Sequence, residues 1–259
     1  MKSMSKKFVL SVAMALAAAP AFAGGFVELA TSDPLRVDGA ALNAEDPLFL
    51  GFDSTFSGLL PSQFIELASR ATTVIDDESG QELGVFHDRV FRDTTDNRLV
   101  FGSRIELTLD ENGFNPFEIN DIQRAGFTGY SAAVAWWDAT GSDYRLKSAA
   151  RTAQGLVKTE DGILPDTFDA DIVDMRTDAS GPEGNPLSGW YLVKTDAVGY
   201  SLMNAAANVY TANEDVSPDV EDRWIAAFAP MAPVPKPSEY ALFLAGLGVL
   251  GIAMRRRKS

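Results

Sequence analysis

The chain has 259 residues, contains no cysteine and carries a formal net charge of −14. This length suits one sizeable domain with its own core, and the lack of cysteine excludes a disulfide scaffold, thiol catalysis, cysteine-ligated zinc and iron–sulfur chemistry. Without the three lysines of the first 23 residues and the five basic and one acidic residues of the last 25, there remain 14 basic and 35 acidic residues, about −21. Such a surface repels nucleic acid and anionic membranes.

The first 23 residues match a secretory signal peptide. Lys2, Lys6 and Lys7 precede an apolar stretch from Phe8 to Ala19, and Ala21-Phe22-Ala23 supplies small residues for cleavage. Charged, apolar and small-residue parts in this order are typical of Sec export signals. We expect an N-terminal signal helix that is cleaved after Ala23, with Ala21 and Ala23 as the cleavage residues.

Three strand-like segments follow a Gly-, Pro- and Asp-rich start. Arg70–Ile75 is β-branched, Glu82–Phe91 alternates, and Leu99–Leu109 places its large apolar residues at odd positions; Asp76–Gly80 and Thr94–Asn97 are turns between them. These patterns predict an antiparallel meander. The alternation assigns one face of the second strand to Leu83, Val85, His87 and Arg89, and the other face to Phe86 and Val90. The preceding segment 61–68 suits either a helical turn or a strand.

A helix is predicted from Asn115 to about Gly126. Asn115 stands at the N-cap position, Pro116 at the first helical position and Glu118 at the third, a combination that favours a helix start. Apolar residues then recur at helical spacing, at Phe117, Ile119, Ile122 and Ala125.

Strand signals return afterwards and continue to residue 228. Turn clusters divide them, and the stretch 166–186 is polar and is predicted as loop. We expect a mainly β exported body over 24–228, an antiparallel β-sandwich or barrel-like fold with one or two short helices. A Pro-rich linker with the sorting motif is predicted over 229–237, and a transmembrane helix with a basic tail over 238–259. The predicted strands are Tyr130–Trp137, Gln154–Thr159, Trp190–Lys194, Tyr200–Met203, Ala207–Thr211 and Trp224–Phe228.

Catalytic patterns are weak, and the chain is predicted not to be an enzyme. His87 is the single histidine, so a multi-histidine metal site is excluded, and Gly129-Tyr-Ser131-Ala-Ala lacks the last glycine of a nucleophile elbow. A lone histidine in a strand favours a structural or surface role. Paired carboxylates leave a secreted glycoside hydrolase as an alternative, although the sequence does not show which acids face each other.

A carbohydrate- or calcium-binding module is the second alternative. Asp110–Asn115 and Asp169–Asp174 are acidic, but neither fits the EF-hand spacing, and a hairpin turn and an acidic loop explain them. No cofactor is therefore predicted, with Ca²⁺ as the one candidate. Adjacent Trp136 and Trp137 point to opposite faces of a strand, and core packing of both is favoured over exposure of one. The other aromatic candidates are Tyr144, Trp190, Tyr191 and Tyr200.

The C-terminal segment has three parts. Pro235, Lys236, Pro237, Ser238 and Glu239 precede an apolar run over residues 240–254, and the basic residues Arg255, Arg256, Arg257 and Lys258 follow. A helix of 15 residues spans about 22 Å against a bilayer core of about 30 Å, a gap that snorkelling and bilayer thinning close. The positive-inside rule places both basic ends in the cytoplasm and the body outside.

This layout resembles the PEP-CTERM sorting domain, the C-terminal signal of exosortase substrates. The resemblance covers about 25 residues and implies a Gram-negative bacterium, Sec export, transient anchoring in the inner membrane, and then release or attachment at the cell surface. It also implies an exosortase-type processing enzyme and an association with exopolysaccharide. Lys236 replaces the glutamate that usually stands between the two prolines, so the charge of the motif is reversed. A plain membrane anchor is the competing interpretation.

The sequence thus predicts an exported, biofilm-associated protein of the cell surface or extracellular matrix, with a structural or adhesive role.

Overall fold

The structure is a computed structural model, described here for residues 25–37, 56–76, 80–113, 115–141, 143–155, 158–159, 162–163, 166–211 and 221–231. The predicted signal peptide, the sorting motif and the C-terminal apolar run lie outside these residues. The described residues form fourteen strands and no helix. The strands are β1 (Val27–Glu28), β2 (Phe56–Ser57), β3 (Phe64–Ile75), β4 (Glu82–Asp93), β5 (Leu99–Leu107), β6 (Glu118–Arg124), β7 (Ala133–Asp138), β8 (Ser148–Ala150), β9 (Lys158–Thr159), β10 (Gly162–Ile163), β11 (Val173–Ser180), β12 (Trp190–Thr195), β13 (Gly199–Thr211) and β14 (Glu221–Met231).

Two sheets contain most of the strands. The first sheet has the order β1-β7-β12-β5-β4-β3, with β2 also beside β7, and the second has the order β14-β13-β6-β11-β8. The short strands β9 and β10 pair with each other. Pairing is antiparallel in both sheets apart from the parallel pair β2–β7. The prediction of a mainly β body built from antiparallel sheets is confirmed.

One apolar cluster lies between the sheets. It combines residues of the first sheet such as Phe86, Phe101 and Tyr191 with residues of the second such as Met175 and Val209, all of them 0 % exposed. Burial of side chains of this size is the main favourable term in folding. The two sheets therefore share a core.

A second apolar cluster covers the opposite face of the first sheet. It contains Phe91, Trp137, Trp190 and Leu192, and the N-terminal residue Phe26 packs onto it. The indole Nε1 of Trp137 donates a hydrogen bond of 3.0 Å to a backbone carbonyl in the segment after β2. Both faces of the first sheet are therefore covered at this end, where the N-terminal segment crosses it.

The predicted meander is confirmed as β3-β4-β5. Of the two structures predicted for the segment 61–68, the strand is correct, since β3 begins at Phe64. The face assigned to Leu83 is wrong. Leu83 is fully buried in the core beside Phe86, because the register of β3 against β4 shifts between Val74 and Ile75. An extra residue in one strand of a pair changes the face to which later side chains point.

The helix predicted over 115–126 is wrong. Residues Glu118–Arg124 form β6, which pairs with β13 on one side and β11 on the other. The register against β11 shifts between Arg176 and Ala179, and Ile119 and Ile122 both reach the core, three residues apart. A strand irregularity of this kind produces the same apolar spacing as a helix.

The loop predicted over 166–186 contains a central strand. β11 lies between β6 and β8 and alternates strictly, with Val173, Met175 and Ala179 in the core. Asp174 and Arg176 between them point to the other face of the sheet, whereas Thr177 shares the core face and its hydroxyl is hydrogen-bonded to Tyr191. The polar composition of this stretch therefore reflects one polar sheet face, and the prediction of a loop is wrong for Val173–Ser180.

The last two strands form one long hairpin. β13 covers both segments predicted separately over 200–211, and a register shift between Met203 and Ala207 joins them. β14 continues to Met231, which pairs with Gly199. Three residues assigned to the linker, 229–231, are therefore part of this hairpin. No helix among the described residues is long and apolar enough to cross a membrane.

Candidate functional site

A fully buried charge pair in the shared core joins the two sheets. Arg124 of β6 donates from Nη1 to Asp88 Oδ1 of β4 at 2.9 Å and to the hydroxyl of Ser103 at 2.8 Å. Its Nη2 donates to the carbonyl of Phe228 in β14, and the Phe228 N–H donates to Asp88 Oδ2 at 2.6 Å. Both charged side chains are 0 % exposed. The N–H and C=O groups of Phe228 thus form hydrogen bonds with the side chains of Asp88 and Arg124, where a neighbouring β-strand would otherwise supply backbone partners.

A second ion pair joins the sheets at the other end of the same edge. Arg223 of β14 donates from Nη2 to Asp76 Oδ1, directly after β3, at 2.6 Å. Both side chains are largely buried. Opposite charges at this depth stabilise only when they are paired and hydrogen-bonded, so the geometry fits a structural role.

The outer face of the second sheet carries a buried polar layer. We define the polar layer as Arg36, Asp121, Gln123, Asp166, Asp174 and Arg176. Arg36, from the N-terminal segment, contacts Asp166 at 2.6 Å and Asp174 at 2.7 Å. The amide of Gln123 donates to the other oxygen of Asp174 at 3.0 Å. The polar layer therefore fixes the N-terminal segment onto β6 and β11.

The charges of the polar layer favour the ionised form of its arginine. Burial alone would lower the pKa of Arg36, but the carboxylates of Asp174, Asp166 and Asp121 outweigh it and the pKa is raised. On the same face, burial raises the pKa of Tyr210 to about 12, with further contributions from Asp121, Asp222 and Asp174. Both oxygens of Asp174 are already hydrogen-bonded and the residue is 0 % exposed. A water or sugar has no access to it as the acid or base of a hydrolase.

His87 has surroundings that suit a surface strand rather than a catalytic centre. It lies opposite Arg104 in the β4–β5 register, and its Nε2 is 3.5 Å from Glu106. The imidazole packs edge-to-face on Trp190 with ring centroids 6.2 Å apart. Burial lowers its pKa despite the opposite effect of Glu106. These contacts offer no hydroxyl nucleophile to activate.

The aromatic candidates for sugar binding are mostly buried. Trp136 is 5 % exposed and lies in the shared core, whereas Trp137 is 4 % exposed and lies in the second cluster. The prediction that these neighbours point to opposite faces and are both packed is confirmed. Trp190 and Tyr191 are buried too. A flat ring open to a sugar would need one of these faces uncovered.

The acidic segments hold their carboxylates apart. Asp171 accepts hydrogen bonds from the backbone of Gly126 and Thr128, while Asp174 pairs with Arg36. Asp110 accepts the Asn112 amide in an exposed turn. Within the part of the chain that the structure describes, no group of three or more histidine, aspartate or glutamate side chains is placed to hold a metal ion.

An exposed apolar patch spans the edge where the two sheets meet. We define the edge patch as Ile65 and Leu67 of β3, Val198 directly before β13, and Leu202 of β13. Tyr200 lies between Val198 and Leu202, and its hydroxyl donates to the carbonyl of Leu67 at 3.4 Å, which connects the two strands.

No protein family, curated protein or solved structure matches this chain. Inferences about function therefore rest on the chain's own residues. The sorting-motif, basic-tail and cleavage residues, 235–239, 255–258, 21 and 23, all lie outside the described part.

Sequence reasoning missed the residues that organise the body. The alternation Val-Asp-Met-Arg-Thr-Asp-Ala over 173–179 is a signal that could have placed Asp174 and Arg176 on one strand face. Nothing in the local sequence indicates that Arg36, more than 130 positions away, is the partner of Asp174.

Proposed function

We propose that this chain is an exported structural or adhesive protein of the cell surface or extracellular matrix. Sec export delivers it, the C-terminal apolar run holds it transiently in the inner membrane, and an exosortase-type enzyme processes it near the sorting motif. The observation that carries the proposal is the order Pro235–Glu239, apolar run, basic residues at the C-terminal end. An apolar run of this length with basic residues on one side is a membrane-orienting signal.

Features of the body support a structural role. The two sheets with their shared core close as a β-sandwich, and the buried charges pair with each other rather than opening to a cleft. The rings of Trp136, Trp137 and Trp190 serve packing. A body of this kind presents a stable, acidic surface, and its partner in the matrix is exopolysaccharide.

Fractionation combined with intact-mass measurement tests the proposal. In a host with the matching exosortase we expect a mature chain that begins at Gly24, ends near Pro237 and lies outside the inner membrane. Deletion of residues 240–254 should release an unprocessed chain to the periplasm. A chain that stays in the inner membrane with its C-terminus intact, despite an active exosortase, would overturn the proposal in favour of a plain anchor.

The reversed charge at Lys236 gives a finer test. Lys236→Glu restores a negative residue between the prolines, and we expect it to increase the processed fraction. Lys158→Glu makes the same change of charge outside the motif and serves as the control. Equal processing of both variants and the parent chain would show that position 236 does not contact the enzyme.

A further inference from the structure

We propose that the edge patch is the membrane-facing surface of the body, and that it lies on the lipid headgroup region while the C-terminal apolar run is inserted. The inference rests on the proposed function, because it needs the apolar run in the bilayer. It adds a second contact with the membrane, made by residues of the folded body.

The exposure of the edge patch is the first observation. Val198 is 60 % exposed, Leu202 55 %, Ile65 54 % and Leu67 37 %. Single exposed apolar residues are normal on a protein surface. Here four lie on two neighbouring segments that the Tyr200–Leu67 hydrogen bond connects, and such groups mark surfaces that contact a partner.

The position where the chain leaves the body is the second observation. Met231 ends β14 and pairs with Gly199, so the residues that follow begin directly beside Val198 and the edge patch. Eight residues, 232–239, three of them proline, then lead to the apolar run at Tyr240. A chain of eight residues spans at most roughly 28 Å. The tether therefore keeps this end of the body closest to the bilayer.

The net negative charge of the body limits which lipid surfaces it can approach. A body of about −21 is repelled by anionic lipid headgroups. Glu66, between Ile65 and Leu67, is paired with Arg89 at 3.4 Å, and the residue opposite Ile65 on β4 is Arg92, a cation. Apolar side chains at an interface enter about 5–10 Å into the headgroup and acyl boundary. The edge patch can make that contact with a zwitterionic lipid surface.

The lack of native cysteine allows a direct measurement. Single variants Leu67→Cys and Leu202→Cys report on the edge patch, and Leu247→Cys reports on the apolar run. Ile75→Cys is the matched control, since Ile75 is 42 % exposed on the same strand as Leu67. Eight residues of strand separate them by about 26 Å. Each full-length chain is prepared without exosortase, labelled with a fluorophore at its single cysteine and inserted into phosphatidylcholine vesicles. The vesicles contain doxyl-labelled lipid, which quenches a fluorophore that lies close to the bilayer.

We expect strong quenching at 247, and quenching at 67 and 202 at least twofold greater than at 75. The double substitution Val198→Ser with Leu202→Ser should reduce quenching at 67 to the level at 75. Leu59→Ser, at a residue 93 % exposed near the opposite edge of the first sheet, should leave it unchanged.

Two results separate the failure of this inference from the failure of the proposed function. Quenching at 247 with equal, weak quenching at 67, 202 and 75 would overturn only the membrane contact of the edge patch. No quenching at 247 would show that the apolar run is not inserted, and both proposals would fail. Shielding at 202 that depends on protein concentration, without lipid quenching, would show that a second copy covers the patch and would also overturn the inference.

Discussion

Asp88 and Arg124 show how a core that is otherwise apolar holds two opposite charges. Removing both ions from water costs several kcal/mol each, and pairing recovers this only when the remaining hydrogen-bonding positions are filled. Here Ser103 and the backbone of Phe228 fill them. The pair therefore connects β4, β6 and β14 at one point, and each ion depends on the other.

Asp88→Ala should strongly destabilise the protein. It leaves the Arg124 guanidinium buried without its counter-ion and the Phe228 N–H without an acceptor, and breaking a buried pair in this way costs about 3–5 kcal/mol. Urea unfolding measures the loss in free energy of unfolding. Glu66→Ala removes the partner of Arg89 at the surface, where both side chains are about a third exposed, and should cost no more than about 1 kcal/mol.

The double variant Asp88→Leu with Arg124→Met refines this expectation. An apolar replacement of both ions is often neutral, but here it leaves both backbone groups of Phe228 unsatisfied, so we expect only partial recovery. Complete recovery to the parent stability would contradict the role assigned to the Phe228 hydrogen bonds.

Asp93 and Lys194 form a second fully buried pair, 2.8 Å apart, that makes stability depend on pH. Burial alone would raise the pKa of Asp93, but hydrogen bonds from Lys194 and Thr95 outweigh it and the pKa is lowered. The stabilisation is complete above the unfolded-state value near 3.9 and is lost as the pH falls through the folded-state value. We expect Asp93→Asn to reduce the dependence of unfolding free energy on pH below about 4. An unchanged acid limb would contradict this.

Partners of this kind could not be read from the sequence, because the two charges are distant along the chain. Lys194 and Asp93 are 101 positions apart, and Arg124 and Asp88 are 36 apart. The sequence does identify residues that must find partners if they are buried, such as Lys194 in the apolar run Trp190–Lys194. Which residue is the partner depends on how the strands pair, and the sequence does not show this.

At the scale of elements, regular alternation was predictable and irregular strands were not. The meander β3-β4-β5 and the strand β12 follow from local pattern, since each has a turn at its ends. β6 was misassigned because its register irregularity gives Ile119 and Ile122 a helical spacing. Asn115, predicted as a helix cap, instead accepts the Phe117 N–H at 2.8 Å and donates to the carbonyls of Leu83 and Thr108. The same capping chemistry serves the turn before a strand.

Gly126, two residues after the end of β6, gives an element-scale prediction. It has a φ of 99°, and an added Cβ would lie 2.8 Å from Ala229 Cβ in β14. Gly126→Ala should cost about 1–2 kcal/mol for the backbone and a further 1–3 kcal/mol for the overpacked contact. Gly129 has a φ of 83° with nothing within 4 Å of the added atom. Gly129→Ala should therefore lower the free energy of unfolding only by the cost of the backbone conformation, about 1–2 kcal/mol. Thermal unfolding of both variants measures the difference, and equal losses would contradict the close approach of β14.

At the scale of the molecule, the N-terminal segment belongs to the folded body. Phe26 and Leu29 lie in the two apolar clusters, and β1 pairs with β7. The predicted cleavage after Ala23 leaves this whole segment on the mature chain.

Arg36 tests whether that segment is held by the polar layer. Arg36→Met leaves Asp166 and Asp174 without their closest cation, in a layer where the Arg36 side chain is 7 % exposed. We expect a loss of about 3–5 kcal/mol, as for other broken buried pairs. Arg92→Met is the control, because within the described part of the chain the Arg92 side chain donates to Asn97 in an exposed turn, and it should change stability by less than about 1 kcal/mol.

Amide hydrogen exchange distinguishes release of the segment from a uniform loss of stability. The N–H groups of Leu29 and Val37 donate to Ala132 and Ala149 at 2.9 Å each, so they report on the docked segment, whereas Val100 reports on the first sheet. In Arg36→Met, protection at Leu29 and Val37 should fall more than protection at Val100, since local opening precedes global unfolding. An equal fall at all three amides would mean that the N-terminal segment and the sheets unfold as one unit, and that Arg36 stabilises the whole body rather than fastening the segment to it.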